Sequence, residues 1–289
     1  MKLLGRAVLF GRMIKFSHSV FALPFALTSA ALAVQGPPPW SKLGWILVAM
    51  VGARSAAMGF NRLADHALDA RNPRTAAREL PAGLLGRAEV WAFVLLSLAT
   101  FLLASAMLNP LCLALAPVAV AIVFGYSYTK RFTAWSHLFL GLALAIAPVG
   151  AWLAIRGSFA PAPLVLGLAV LLWVAGFDVI YACQDLDFDR SAGLHSLPAR
   201  FGAGRALLLA RAMHALALLL LASLYALVPL HPLYLGGVAL VALLLGYEHS
   251  LVGPGDLSRI DAAFFTANAW VSVGYFACTL LALSYNRVP

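Results

Sequence analysis

The chain has 289 residues, of which 63% are hydrophobic and only 11% charged, and its mean hydropathy is +0.90. A soluble domain carries about 25% charged residues, so the composition excludes that class and reads as a polytopic membrane protein. The net charge of +9 reads as attraction to anionic lipid at a cytoplasmic leaflet, and nothing in the sequence points to nucleic acid.

The first apolar run, Phe16 to Val34, follows Lys2, Arg6, Arg12 and Lys15. It is long for the apolar part of a signal peptide and has no clear small-residue cleavage site, so it reads as a retained first helix. With about 20 apolar residues per span, nine helices are expected: 16–35, 43–61, 88–108, 111–128, 134–155, 163–183, 206–228, 232–249 and 263–284. Gly36-Pro37-Pro38-Pro39, Asn109-Pro110, Pro161, Pro163, Pro229 and Pro232 punctuate them. The second helix should run past the membrane through Asp69 and stop before Asn72-Pro73, because the residue before proline disfavours helix. Apolar runs recur along the whole length, so 1–289 reads as a single all-α integral-membrane domain. Cys112, Cys183 and Cys278 lack pairing or zinc-ligand spacing and read as small buried hydrophobes. With a cytoplasmic N-terminus, only Lys42, Arg156 and Arg287 fall on the far side. The carboxylates all gather on the near side, which places the polar chemistry at one membrane face and argues against a midplane transport path.

Two stretches interrupt the apolar pattern. Asn61 to Gly83 reads NRLADHALDARNPRTAARELPAG, with Asn61, Asp65 and Asp69 at i, i+4 and i+8. Such residues share a helix face, drifting about 40° per step, and three oxygen-bearing side chains there suit a hard cation. Arg71, Arg74 and Arg78 follow, where they could hold phosphates. Asp178 to Arg200 repeats the arrangement: Asp178, Asp185 and Asp189 fall at helical spacing, and Asp187 points off their face. The stretches end alike, in LPAG at 80–83 and LPAR at 197–200. If the two acidic faces converge, like charges about 6 Å apart repel by roughly 3 kcal/mol per pair at an effective dielectric of about 20. Five carboxylates therefore call for divalent cations. Two Mg²⁺ suit a diphosphate, and the apolar surroundings suit an isoprenoid tail.

These residues resemble the UbiA-type intramembrane prenyltransferases, along essentially the whole chain. The first family motif matches Asn61, Asp65 and Asp69; the second matches Asp178, Tyr181, Asp185 and Asp189, with Gly193 and Ser196 following. The loop YSYTKRFT brings Tyr126, Lys130 and Arg131 into line with family positions near the diphosphate and the aromatic acceptor. The segments KFSHSVFALPFALTSA and RSAAMGFNRLADHALDARNPRTAARELPAG resemble the 4-hydroxybenzoate polyprenyltransferase branch, whose relatives include enzymes that prenylate a dihydroxynaphthoate for menaquinone. Where 4-hydroxybenzoate enzymes carry Arg-Pro-Leu-Pro, this chain has Arg78-Glu79-Leu80-Pro81, which leaves the acceptor open between the two.

The resemblance implies a helix bundle enclosing a cavity and transfer of a polyprenyl group to an aromatic acid. It also implies a bacterial inner-membrane location with the site at the cytoplasmic face. Asn61, Asp65, Asp69, Asp185 and Asp189 would hold two Mg²⁺ on the polyprenyl diphosphate, and Arg74, Lys130 and Arg131 would offset its remaining charge. Asp178 would bind metal through water or orient the acceptor. Tyr181 would flank the cationic prenyl carbon with its ring face, or serve as an interfacial aromatic. Arg54, seven residues before Asn61, would contact acceptor or phosphate, or snorkel. His18, His137, His214 and His231 lack ligand spacing and read as structural or interfacial; His66 and His195 receive no role. A phospho-alcohol transferase is disfavoured because the chain has no Asp-Gly. A carboxylate-dependent ion carrier is the rival of a different class.

Overall fold

A computed structural model describes residues 2–15 and 20–286. Within them the chain is helical: α1 Lys2–Met13, α2 Leu23–Val34, α3 Trp40–Arg71, α4 Arg87–Leu108, α5 Pro110–Thr129, α6 Ser136–Arg156, α7 Pro161–Ala182, α8 Leu186–Ser191, α9 Leu197–Leu227, α10 Leu233–Ser250 and α11 Asn268–Tyr285. A 3₁₀ turn, Cys183–Asp185, joins α7 to α8, and a π-helical turn, Ala262–Ala267, leads into α11. Among the described residues eight spans are long and apolar enough to cross a membrane, and α2 is a shorter apolar helix. The nine expected segments are all present, apart from the start of the first. Of that start, 16–19, with His18, lie outside the described residues, as does Arg287, and 20–22 form a turn before α2.

Two compact units are formed, one by residues 1–19 and 43–128, the other by 20–42 and 129–289. In the first, Met13, Ile14, Leu63, Leu80, Leu85, Val90 and Val94 make the core, with Phe10 stacked on Phe93 and Phe60 on Phe124. The basic N-terminus is a helix in its own right, which the sequence reading missed. Arg6 pairs with Glu89 at 3.2 Å, and three arginine bonds hold the end of α1. Arg54 Nη2 donates to the carbonyls of Ile14 (3.4 Å) and Lys15 (3.1 Å), and Arg62 Nε donates to that of Met13 (3.4 Å). Guanidinium groups at a helix C-terminus satisfy its orphan carbonyls and its partial negative charge.

In the second unit α7 is the most deeply buried span. Small residues let its neighbours approach: a Cβ on Gly141 of α6 would strike the Leu171 carbonyl, and one on Gly176 of α7 the ring of His214. Asn268 opens α11 by accepting from Trp173 Nε1 (2.7 Å) and donating to Glu248 Oε1 (3.0 Å) and the Ala263 carbonyl (3.0 Å). It therefore satisfies backbone left over by the π turn in a place water does not reach.

Several boundaries differ from expectation for identifiable reasons. α9 begins at 197, not 206, because Ser196 caps it, its Oγ accepting from Ala199 N, and Pro198 suits the first turn. Gly202, at φ 79 and ψ 162, kinks α9 within its first turns. The LPAG and LPAR endings, alike in sequence, differ in use. Leu80–Gly83 is a turn closed by Gly83 at φ 71, whereas Leu197–Arg200 is the start of a helix.

Candidate active site

α3 carries the first acidic stretch. At 32 residues it is about 48 Å long, well beyond the roughly 30 Å of bilayer hydrocarbon, so its last turns stand clear of the apolar region. It ends at Arg71, one residue before Asn72-Pro73, as expected. Asn61 Nδ2 donates to Asp65 Oδ2 (3.1 Å) and to Ser127 Oγ in the last turn of α5 (3.3 Å), which leaves the Asn61 carbonyl oxygen for a cation. Asp65 and Asp69 are buried, at 2% and 6% exposure. Asp69 Oδ1 takes a 2.7 Å bond from Arg78 Nη1; its Oδ2 makes no hydrogen bond, and Arg62 Nη1 is 3.9 Å from it. Thr75 Oγ1 donates to the Asp69 carbonyl, and Asn72 Oδ1 accepts from Arg74 N, so the turn after α3 is built around the acidic end. Arg74 lies exposed in that turn. Tyr126 is half-buried near Arg54 and Arg62. Arg54 itself is turned to the end of α1, as described above.

The second stretch is not one continuous α-helix. α7 gives way to the 3₁₀ turn at Cys183–Asp185 before α8 resumes, so the same-face argument for Asp178, Asp185 and Asp189 holds only piecewise. Asp178, on α7, is bonded through Oδ2 to His137 Nδ1 of α6 at 2.7 Å. Asp189, on α8, accepts a 2.7 Å bond from Ser196 Oγ, and its charged neighbours are Asp185 and Lys130. Asp187 is exposed, as its spacing suggests. Tyr181 stacks on Phe264 of the π turn at 4.1 Å, so one ring face is covered. Lys130 is half-buried and Arg131 exposed.

Three successive residues at the start of α9 tie this half together. His195 N donates to the Lys130 carbonyl (2.7 Å), Ser196 Oγ to Asp189, and Leu197 N to His137 Nε2 (3.3 Å). Arg62 and His137 were missed as site residues. Arg62 carried a local signal, seven positions before Asp69 on the same helix. His137 carried none, because its partner is 41 positions away.

Among the described residues no three of His, Cys, Asp or Glu are grouped to hold a metal. The donor set nevertheless fits Mg²⁺ in kind: it is all oxygen, and in the first unit a guanidinium sits against Asp69 as a cation would.

The fold and these oxygen-rich helix ends define a class: an all-helical integral membrane protein with its polar groups mounted at the ends of apolar spans. The sequence pattern of the UbiA prenyltransferase family matches residues 22–272, and the chain belongs to that family. It is a prenyltransferase. Over 287 residues it is 32% identical to the 4-hydroxybenzoate octaprenyltransferase of Cupriavidus necator, covering 97% of this chain and 99% of that one. It is 35% identical to the Vibrio cholerae enzyme of the same name over 192 residues, 66% of this chain and 67% of the relative. An apo UbiA homolog from Aeropyrum pernix superposes with a TM-score of 0.83 at 36% identity, covering 91% of this chain and 97% of that one. A UbiA homolog from Archaeoglobus fulgidus, solved with DMAPP and Mg²⁺, shares the fold at a TM-score of 0.73 and 20% identity, over 95% and 99% of the two chains.

Proposed function

We propose that the protein transfers a polyprenyl group from polyprenyl diphosphate to a hydroxy-aromatic acid in quinone biosynthesis, with Mg²⁺ as cofactor. The acceptor is 4-hydroxybenzoate or a dihydroxynaphthoate. The observation that carries this reading is the full-length similarity to a 4-hydroxybenzoate octaprenyltransferase, combined with oxygen donors on both acidic stretches. Asn61, Asp65 and Asp69 from α3, with Asp185 and Asp189 from the second stretch, would hold the metal. Bound Mg²⁺ would neutralise the diphosphate and make it a better leaving group.

The protein's own share is positioning and charge. Arg74, Lys130 and Arg131 would offset the remaining phosphate charge, and Tyr126 would contact the donor or the acceptor. Tyr181 would flank the allylic carbon with its ring as positive charge develops there. The acceptor ring is the nucleophile, so no covalent prenyl-enzyme is formed. Glu79, in place of the proline usual in 4-hydroxybenzoate enzymes, is the feature that keeps the dihydroxynaphthoate reading alive. A bacterial inner-membrane location and a site at the cytoplasmic face complete the proposal, supported by the one-sided distribution of charge.

The test is an acceptor screen. Purified protein receives polyprenyl diphosphate and Mg²⁺ with either 4-hydroxybenzoate or dihydroxynaphthoate, and prenylated product is measured. Product with one acceptor assigns it. Intact donor with both acceptors, together with cation flux in liposomes, would replace this reading with that of an ion carrier.

A further inference from the structure

The contact between His137 and Asp178, at 2.7 Å, is as short as that between Ser196 and Asp189, and the metal reading makes no use of it. His137 is fixed on both sides. Its Nε2 lies 3.3 Å from Leu197 N, and a backbone N–H can only donate, so Nε2 holds a lone pair and the ring proton is on Nδ1. Nδ1–H therefore donates to Asp178 Oδ2 at 2.7 Å. The Leu197 N–H is one of the orphan donors of the first turn of α9, so the imidazole bridges that helix end to the carboxylate. The His137 side chain is 4% exposed and that of Asp178 25%. Among the described residues nothing bonds Asp178 Oδ1.

We infer that His137 is a positioning residue: it fixes Asp178 so that one oxygen, Oδ1, meets the hydroxyl of the aromatic acceptor rather than a metal ion. Two observations support this. Oδ2 is committed to His137, which leaves one oxygen of Asp178 to meet a ligand. The charge of Asp178 is met by a neutral N–H and not by a cation, which keeps Oδ1 a strong acceptor for a hydroxyl donor. The helix pair that carries the dyad packs closely beside it: Gly141, four residues along α6 from His137, lies against the Leu171 backbone of α7.

The inference rests on the proposed prenyl transfer, and the experiment separates the two. Transfer kinetics are measured for wild type, His137→Ala, His137→Asn, Asp178→Ala and the His137→Ala/Asp178→Ala pair, with the acceptor and the donor varied in turn. Losing a partner that orients a ligand-binding group costs about 10–100-fold. His137→Ala should lower kcat/KM for the acceptor by that factor and leave the donor KM within about 2-fold. His137→Asn, whose amide donates from the position of Nδ1, should recover part of the loss and serves as the working variant if His137→Ala does not fold. In the Asp178→Ala background His137→Ala should add less than about 2-fold, since residues that act through each other are not additive. Fully multiplicative losses, or a donor KM that rises with the acceptor KM, would overturn the inference. A wild type inactive with both acceptors would instead overturn the proposed reaction.

Discussion

Asp69 has a proposed role and a structural one that one substitution can separate. As the proposed metal ligand it would be needed only with substrate present. As the counter-charge to Arg62 it is needed at all times, because Arg62 is 4% exposed and cannot reach water. At the 3.9 Å between Arg62 Nη1 and Asp69 Oδ2, unit charges attract by about 4 kcal/mol at an effective dielectric of about 20. Breaking a buried pair by removing one partner costs about 3–5 kcal/mol. Asp69→Asn keeps a carbonyl oxygen for Arg78, so the expected loss lies at the lower end, about 3 kcal/mol.

The assay is thermal unfolding in detergent with EDTA, where metal ligation contributes nothing. The loss corresponds to a fall in Tm of roughly 6–12 °C. Adding Arg62→Met should restore part of it, because the orphaned charge is then gone. Mg²⁺ with diphosphate should raise the wild-type Tm by mass action and leave the Asp69→Asn variant nearly unmoved. An Asp69→Asn protein as stable as wild type in EDTA would refute the reasoning. So would a double variant less stable than the single one.

The remaining predictions are simpler. Asp65→Ala, Asp185→Ala and Asp189→Ala should each abolish Mg²⁺-dependent prenyl transfer, whereas Asp187→Ala, which removes an exposed carboxylate, should retain it; product assays at matched protein levels decide. Gly141→Ala drives a methyl into the Leu171 carbonyl and should destabilise by about 1–3 kcal/mol, read as a lowered Tm, with no change if α6 and α7 pack less closely. Fluorination near the donor's C1 destabilises an allylic cation. It should slow transfer strongly while diphosphate binding is preserved, and equal rates would argue against ionisation before attack.

How far the sequence could be read depended on the range of the interaction. The extension of α3 beyond the membrane followed from one proline and from helical spacing, both local, and the helix ends at Arg71 as that logic requires. The start of α9 was also written locally, in the Ser196 cap and in Pro198. It was masked because a polar opening was read as loop. α1 was read only as flanking charge. What makes it a docked helix is the pair Arg54 and Arg62, about 40 to 50 positions away. The grouping of Asp178 with Asp185 and Asp189 assumed an unbroken helix, and the 3₁₀ turn at Cys183–Asp185 defeats it. The donors proposed for the site could be picked out as residue types at fixed spacing. Its electrostatic partners were legible only in three dimensions.

Those partners differ between the two acidic stretches, and the difference has a consequence for ligand order. Asp189 and Asp178 accept their 2.7 Å bonds from neutral donors, Ser196 Oγ and His137 Nδ1, and Lys130 is a charged neighbour of Asp189. Asp69 is met by cations, Arg78 at 2.7 Å and Arg62 at 3.9 Å. A divalent ion arriving at Asp69 about 5 Å from a retained guanidinium would be repelled by roughly 7 kcal/mol at an effective dielectric of about 20. The guanidinium therefore offsets part of the pull of Asp69 on metal alone. Arg78 can be drawn off, because its side chain is 23% exposed, whereas that of Arg62 is 5% exposed. A diphosphate supplies the anion that would draw it, through the bidentate contact guanidinium makes with phosphate. Metal and diphosphate should thus bind the wild type cooperatively, and Arg78→Ala should tighten binding of Mg²⁺ alone while weakening its coupling to diphosphate. Calorimetric titration of Mg²⁺ with and without a non-reactive prenyl diphosphate analogue measures both terms. Equal Mg²⁺ affinity in wild type and Arg78→Ala would show that the guanidinium does not compete with the metal.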